Sequence, residues 1–383
     1  VNCRLCSSDQ SQEVLDFGPT PYTGVFPLPD EKVPIEPLRV VRCEKCNLVQ
    51  LDRDYPPHVL YQPATYGYES SLNGSMKRHL EETAKRLSDG LEHAVALDIG
   101  CNDGAFLRAL PSTWTRLGVD PLAEKWAWGA DIYAGLFPAV ALPYDGELDL
   151  ITTIAVFYAS PKPRDFVKRV SELLRPGGRW FIEQAYLPDL LYKLAYDVFC
   201  QEHVTYFGLE NLSCLGREFD LAVEDFGFND VNGGSFWAIL RKGGMLDPRL
   251  SQDFAAEHMQ DNGLLAAQVK EHAAALRSIV TSFGGSILGY GASTKGNIVL
   301  HMTGIGPGLL PAIAEVNPSK FGRVTPCGRI PIISEQEARM QHPAAMLVLP
   351  WHFREGIIKR ERRYLEDGGK LIFPLPETVE VYG

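Results

Sequence analysis

No stretch of this sequence approaches the ~18 consecutive apolar residues that a membrane-spanning helix needs, and its first residues, Val1-Asn2-Cys3-Arg4, are not a basic segment leading into an apolar one. The expectation is a soluble, cytoplasmic protein with no membrane partner. Positive charge is also scarce: 37 Lys and Arg stand against 48 Asp and Glu, a formal net charge of −11. Residues 1–61 hold no Lys/Arg cluster. A polyanion is a poor match to such a chain, which argues against nucleic acid as a partner. The Gly-Lys-Ser/Thr order of a P-loop is missing too. What remains is a 383-residue chain, 45% hydrophobic and 22% charged, ordinary globular composition with material for two or three domains at ~150 residues each.

Cysteine is sparse and unevenly placed. Cys3, Cys6, Cys43 and Cys46 form two Cys-x-x-Cys pairs, whereas Cys101, Cys200, Cys214 and Cys327 stand singly. A chain with cores of its own does not need disulfide staples, so two pairs at one end read as a metal site. Four thiolates fill the tetrahedral shell of zinc and leave no position for a reacting water, which makes the role structural. Around the pairs the sequence is rich in Pro and turn residues, and the Val-rich stretch before Cys43 reads as a hairpin strand. This is the pattern of a zinc ribbon with a sizeable loop between its two knuckles.

From about Leu72 to Lys242 strands alternate with helices: a helix over Met76–Leu87, strands at Ala94–Ile99, Arg116–Val119, Leu148–Ile154 and Arg179–Glu183, and a helix over Pro163–Leu174 that stops at Arg175-Pro176-Gly177-Gly178. From about Gly243 a second α/β unit follows. It has a helical stretch from Asp253 to Ser282, a glycine-rich turn through Gly284–Gly296, and strands at Ala345–Leu349 and Lys370–Phe373. The fold class is therefore α/β: an N-terminal zinc ribbon (1–65), a doubly wound core (66–243) and a Rossmann-like C-terminal domain (244–383).

The run Leu97-Asp98-Ile99-Gly100-Cys101-Asn102-Asp103-Gly104 lies where an open α/β sheet binds its ligand, beyond the carboxyl end of the first strand. Glycine lets the backbone approach the ligand, the next helix offers free N–H groups, and Asp120 at the end of the second strand is placed to accept both ribose hydroxyls. An adenosine-bearing ligand follows. A dinucleotide fits less well, because Gly-x-x-x-Gly lacks the pyrophosphate spacing of Gly-x-Gly-x-x-Gly.

With Asp149-Leu150-Ile151 and Leu174-Arg175-Pro176-Gly177-Gly178 in order behind it, this set resembles the class I S-adenosylmethionine methyltransferases. A narrower resemblance covers nearly the whole chain. The four-cysteine module, Tyr66-Gly67-Tyr68-Glu69-Ser70-Ser71, Gln201-Glu202-His203-Val204-Thr205-Tyr206-Phe207, Asn232-Gly233-Gly234-Ser235 and Gly289-Tyr290-Gly291-Ala292-Ser293-Thr294-Lys295-Gly296 together resemble the C-methyltransferases of nucleotide-linked deoxysugars. The resemblance implies S-adenosylmethionine near Tyr68, Ser71, Gly100, Asn102, Gly104 and Asp120, and structural zinc on the four cysteines. It implies a nucleotide-linked keto-deoxysugar near Tyr66, Tyr158, Cys200, Asn232, Ser235 and Lys295, with Lys295 meeting the diphosphate as a point charge. Carbon methylation needs an enolate, and His203 is the expected base because a His titrates near pH 7. Glu202 would orient it or bind a sugar hydroxyl, which requires an irregular backbone, since neighbours on a regular strand or helix point apart. Two positions depart from the family pattern: Cys200 stands where a Tyr is expected and Ala159, beside Tyr158, where a His is expected. The competing readings are an O- or N-methyltransferase on a related substrate and a non-catalytic nucleotide-sugar binding protein. The assembly expected is a monomer or small homo-oligomer.

Overall fold

The computed structural model describes residues 2–62, 66–125, 131–250, 262–283 and 286–383. The strands are β1 (Ser11–Pro21), β2 (Ile35–Cys43), β3 (Val49–Leu51), β4 (Val95–Ile99), β5 (Thr115–Asp120), β6 (Asp131–Ala134), β7 (Leu148–Ile154), β8 (Leu174–Ala185), β9 (Thr205–Tyr206), β10 (Leu221–Asn229), β11 (Ser235–Lys242), β12 (Ile287–Tyr290), β13 (Ile313–Glu315), β14 (Ile332–Ser334), β15 (Ala345–Val348), β16 (Lys370–Phe373) and β17 (Glu380–Tyr382). Among the described residues they form three sheets, ordered β1-β2-β3-β9, β10-β11-β8-β7-β4-β5-β6 and β14-β13-β12-β15-β16-β17.

In the N-terminal sheet the interval between the cysteine pairs is not a loose loop. β1 and β2 fill it as an antiparallel hairpin running from Ser11↔Cys43 to Pro21↔Ile35. Nor does the zinc ribbon close on itself. Its fourth strand is β9, which pairs with β3 through Val49↔Tyr206 and Gln50↔Thr205 and comes from the stretch immediately after His203. Sequence periodicity cannot show this, because a two-residue strand carries no period.

The central sheet is parallel through β6-β5-β4-β7-β8 and ends in β11 and β10, joined antiparallel. Order reverses on either side of β4, so its carboxyl end is a topological switch point. The strands are apolar because both faces are covered. The helix Pro163–Leu173 lays Phe166, Val167, Val170 and Leu173 on one face, at the spacing of a helix stripe. There Phe157 touches Phe166, Trp180 and Phe207 at ring separations of 5.1, 5.4 and 4.8 Å. This cluster anchors the turn that carries Tyr158. The helix ends at Leu173, one residue earlier than the sequence suggests, and the strand begins at once: Leu174-Arg175-Pro176-Gly177-Gly178 belongs to β8, with an irregular register opposite Leu148 and Leu150.

The C-terminal sheet repeats the parallel pattern on either side of β12, with antiparallel β17 at its edge. The long helix before it runs Asn262–Ser282; its expected first residues, 253–261, and Gly284 and Gly285 lie outside the described residues. Among the described residues no helix is long and apolar enough to cross a membrane.

Candidate active site

Both switch points open into one cavity of about 800 Å³. Its walls come from the turn after β4, from the segment at Tyr66–Ser70, from the turn after β12, and from Glu202 and His203 between them. A cavity of this size holds drug-sized to cofactor-sized ligands.

At the first switch point Gly100 has φ +74, and a Cβ there would lie 2.3 Å from Val156 Cγ2, so only glycine follows this path. Asp120 caps the turn: Oδ2 accepts from Asn102 N at 2.9 Å and Oδ1 from Leu122 N at 2.7 Å. Burial pushes the Asp120 carboxyl up while these two N–H groups pull it back. Asp98, at the cavity wall, accepts from Thr152 Oγ1 at 2.7 Å, and burial drives its carboxyl up to about 7. A raised carboxylate stabilises the fold fully below its unfolded value and loses that contribution as pH rises to its folded value. Asp98→Asn, which keeps the acceptor for Thr152, should therefore gain thermal stability over wild type as pH rises from about 4 to about 7, and the gap should then stay level. A gap that does not change with pH refutes the buried-proton assignment.

The second switch point is built alike. Glu315, at the end of β13, accepts from Ala292 N at 2.9 Å and from Val316 N and Asn317 N at 2.8 and 3.0 Å. Ser293 caps the helix Thr294–Thr303 through Gly296 N. Lys295 Nζ reaches back to donate to Asn232 O at 2.8 Å, and burial lowers its ammonium pKa. Trp351 Nε1 donates to Asp197 Oδ2 at 2.8 Å, and Gly233 leaves room for the Trp351 ring. These contacts dock the C-terminal unit on the loop between β10 and β11 and on Asp197 in the segment between β8 and β9.

Glu202 and His203 lie in a turn closed by His203 N donating to Cys200 O at 3.0 Å. This irregular backbone lets both adjacent side chains reach the cavity. His203 Nδ1 lies 2.9 Å from Val198 O. A carbonyl only accepts, so the proton sits on Nδ1 and Nε2 keeps its lone pair. The ring packs on Tyr158 at 4.0 Å, and Tyr158 O takes Val204 N and Thr205 Oγ1. One expectation needs correcting here. His203 does not titrate near pH 7: burial, with Lys295 adding to it, holds it down to about 3. The group near neutrality is Glu202, which burial pushes up to about 7 against the pull of Lys320 and Thr294. Its Oε1 has no hydrogen-bond partner among the described residues, and a Cβ on Gly24 would collide with that oxygen.

Of the residues singled out in the sequence, Tyr66, Tyr68, Gly100, Asn102, Asp120, Tyr158, Glu202, His203, Asn232 and Lys295 line the cavity. Ser71, Gly104, Cys200 and Ser235 do not. Ser71 N donates to Asp103 Oδ2, Gly104 starts the helix after the turn in a left-handed conformation, and Ser235 Oγ donates to Val231 O. Cys200 is fully buried in the core, its thiol raised by burial, so it does not take a substrate-facing place. The sequence reading missed Gly24, Tyr61, Glu315, Lys320 and His352, all on the cavity wall. Glu315 was recoverable as an acid at the end of a second strand, the relation Asp120 shows, but the short apolar run before it gave no clear strand signal.

The four cysteine sulfurs lie within 4.8 Å of one another, with Cys3 and Cys46 at 3.4 Å and Cys6 and Cys43 at 3.5 Å. Zn–S bonds of about 2.3 Å in a tetrahedron ask for S···S separations of roughly 3.8 Å, so these thiols fit the ion.

Residues 68–225 match the family model "Methyltransferase domain", residues 248–376 "C-methyltransferase C-terminal domain", and residues 3–61 "Putative zinc binding domain". C-methyltransferase NovU of Streptomyces niveus is 30% identical over 410 residues, covering 98% of this chain and 95% of that protein. Malonyl-[acyl-carrier protein] O-methyltransferase of Porphyromonas gingivalis is 32% identical over 102 residues, 25% of this chain and 39% of that protein. The solved N-methyltransferase NodS from Bradyrhizobium japonicum, in complex with S-adenosyl-L-homocysteine, has 18% identity over 44% of this chain and 87% of its own, with a TM-score of 0.35. The match over residues 68–225 and the strand order around β4 make the central sheet that of a class I methyltransferase, an enzyme that uses S-adenosylmethionine, and the match over residues 3–61 with the four clustered thiols makes the N-terminal module a structural zinc site. The chain belongs to the S-adenosylmethionine-dependent C-methyltransferases.

Proposed function

We propose that this C-methyltransferase acts on a sugar carbon beside the keto group of a nucleotide-linked deoxysugar, with dTDP as the expected nucleotide. One observation carries the reading: two glycine turns, each backed by a buried acid, face a single cavity with Glu202 and His203 at their junction. A methyltransferase of a small acceptor needs one such turn; a cofactor and a nucleotide-linked acceptor together use two.

When bound, S-adenosylmethionine supplies a methyl group already activated as a sulfonium. Gly100, Asn102 and Asp120 hold it at the first turn, with Tyr68 across the mouth. Lys295 and the helix N-terminus at Ser293 face the acceptor's diphosphate. His203 takes the proton beside the carbonyl at Nε2, leaving the electron pair as an enolate on the acceptor. An anion beside Lys295 offsets the charge that helps depress His203 and so raises its basicity. A second reading makes Glu202 the base, because its carboxyl titrates at about 7, where a general base works best.

A methyl-transfer screen over nucleotide-linked keto-deoxysugars in deuterated water, with the product located by NMR, tests the proposal. The expected result is a new C–CH₃ and, without the methyl donor, deuterium beside the carbonyl. Methyl found on oxygen or nitrogen with no deuterium exchange would replace it with heteroatom transfer, and no turnover with any keto-sugar removes the sugar assignment.

A further inference from the structure

Residues 66–70 and Leu72 line the cavity, and the segment 66–72 is tied to both glycine-turn sides. On the methyltransferase side Asn102 is used twice: Nδ2 donates to Tyr68 O at 3.2 Å and Oδ1 accepts from Ser70 N at 3.0 Å. Ser71 N donates to Asp103 Oδ2 at 3.0 Å, and Lys125 meets Glu69 and Tyr66 O, each at 3.3 Å. On the other side the tie comes from the C-terminal unit, where Asn317 Nδ2 donates to Gly67 O at 2.9 Å. Asn317 is buried, at 4% exposure, and is itself fixed: its N–H donates to Glu315 and its Oδ1 accepts from Ser319 N at 3.0 Å. Beside it Lys320, held through Nζ on Ala292 O at 2.7 Å, passes so close to Gly67 that a Cβ there would lie 2.3 Å from Lys320 Cε.

We propose that residues 66–72 form a strap over the cofactor whose grip is set by the C-terminal unit, with Asn317 and Gly67 as the positioning residues that govern how long the cofactor stays bound. The chain of contacts is continuous: Ala292 N and Asn317 N share Glu315, Asn317 holds Gly67, and the strap holds Asn102 of the cofactor turn. Neither Asn317 nor Gly67 belongs to the cofactor turn, so the sheet that carries β12 controls a ligand seated on the sheet that carries β4. The inference rests on placing the cofactor at Asn102 and Asp120, and it does not depend on which sugar is the acceptor.

The test is the dissociation rate of S-adenosylhomocysteine from the full-length zinc-loaded protein, measured by stopped flow. Asn317→Asp keeps the acceptor for Ser319 N and loses the donor to Gly67 O. Gly67→Ala keeps Asn317 and forces the strap and the Lys320 side chain apart. Each should raise the dissociation rate about five- to tenfold, the effect of roughly one hydrogen bond, with the association rate unchanged. Asp120→Ala should weaken binding at least as much. Loss in Asp120→Ala with wild-type dissociation in both strap variants overturns the strap while leaving the cofactor placement standing. Undiminished binding in Asp120→Ala overturns the placement, and the strap with it. A lowered melting temperature with unchanged dissociation shows a purely structural tie, and that too overturns the inference.

Discussion

His203→Asn is expected to lower kcat/KM by about 10²- to 10⁴-fold, the usual contribution of a positioned general base, while S-adenosylhomocysteine binds as in wild type. Asparagine suits the test because its amide can still donate to Val198 O, the partner of His203 Nδ1 at 2.9 Å, so the turn keeps its shape and only the lone pair at Nε2 is lost. Deuterium exchange beside the acceptor's carbonyl should fall in parallel with methyl transfer. Undiminished turnover would end the assignment. The pH profile separates the two candidate bases, because a base must be deprotonated to act and the rate climbs as pH rises through its pKa. With His203 held down to about 3 in the free enzyme, kcat/KM should show no rise assignable to it between pH 5 and 8. A rise through about pH 7 that disappears in Glu202→Gln, with Glu202→Gln more damaging than His203→Asn, would transfer the role to Glu202, whose carboxyl sits at about 7.

Removing zinc, by chelation or by Cys43→Ser, is expected to abolish turnover although the zinc site is structural. Structural zinc contributes about 10–16 kcal/mol in small modules at neutral pH. Here the four thiols tie Cys3 and Cys6 to the turn between β2 and β3, and β3 in turn holds β9, directly after the turn that carries Glu202 and His203. Leu51 N donates to Val204 O at 3.0 Å, one residue from His203. Gln201 accepts from Thr23 N and Thr23 Oγ1 and donates to Pro21 O. Loss of the metal therefore reaches Glu202 and His203 through backbone pairing. The cofactor site proposed at Gly100, Asn102 and Asp120 rests on β4 and β5, outside this path, so cofactor binding should survive. Full turnover in metal-free protein of unchanged melting temperature would show that the thiols alone hold the module.

The parts of the site that were legible in the sequence are those whose signals are local. Gly100, Asn102 and Asp120 stand at strand ends separated by one helix, a spacing set by chain geometry, and the cysteine pairs declare themselves because a metal needs four ligands from two tight turns. Cys200 was misplaced for the complementary reason. A residue identity within a motif does not say which way a side chain points in an irregular turn, and here the turn that exposes Glu202 and His203 buries Cys200 completely. His352, whose buried Nδ1 has no partner among the described residues, gave no signal, since one His beyond a short strand has no period or spacing to mark it.

By itself the sequence marked the four clustered cysteines, the first glycine turn with its acid, and Glu202 and His203, neighbours on one cavity wall, because each depends on groups within a few tens of residues. The tertiary structure decided the rest. It folded the interval between the cysteine pairs into a hairpin and added to the same sheet, against β3, a strand from beyond His203. It brought the two switch points to one cavity and strung residues 66–72 between Asn102 and Asn317. It also moved the expected titration near pH 7 from His203 to Glu202, since burial and the nearness of Lys295 or Lys320 set those proton affinities, and both arise only when distant segments pack.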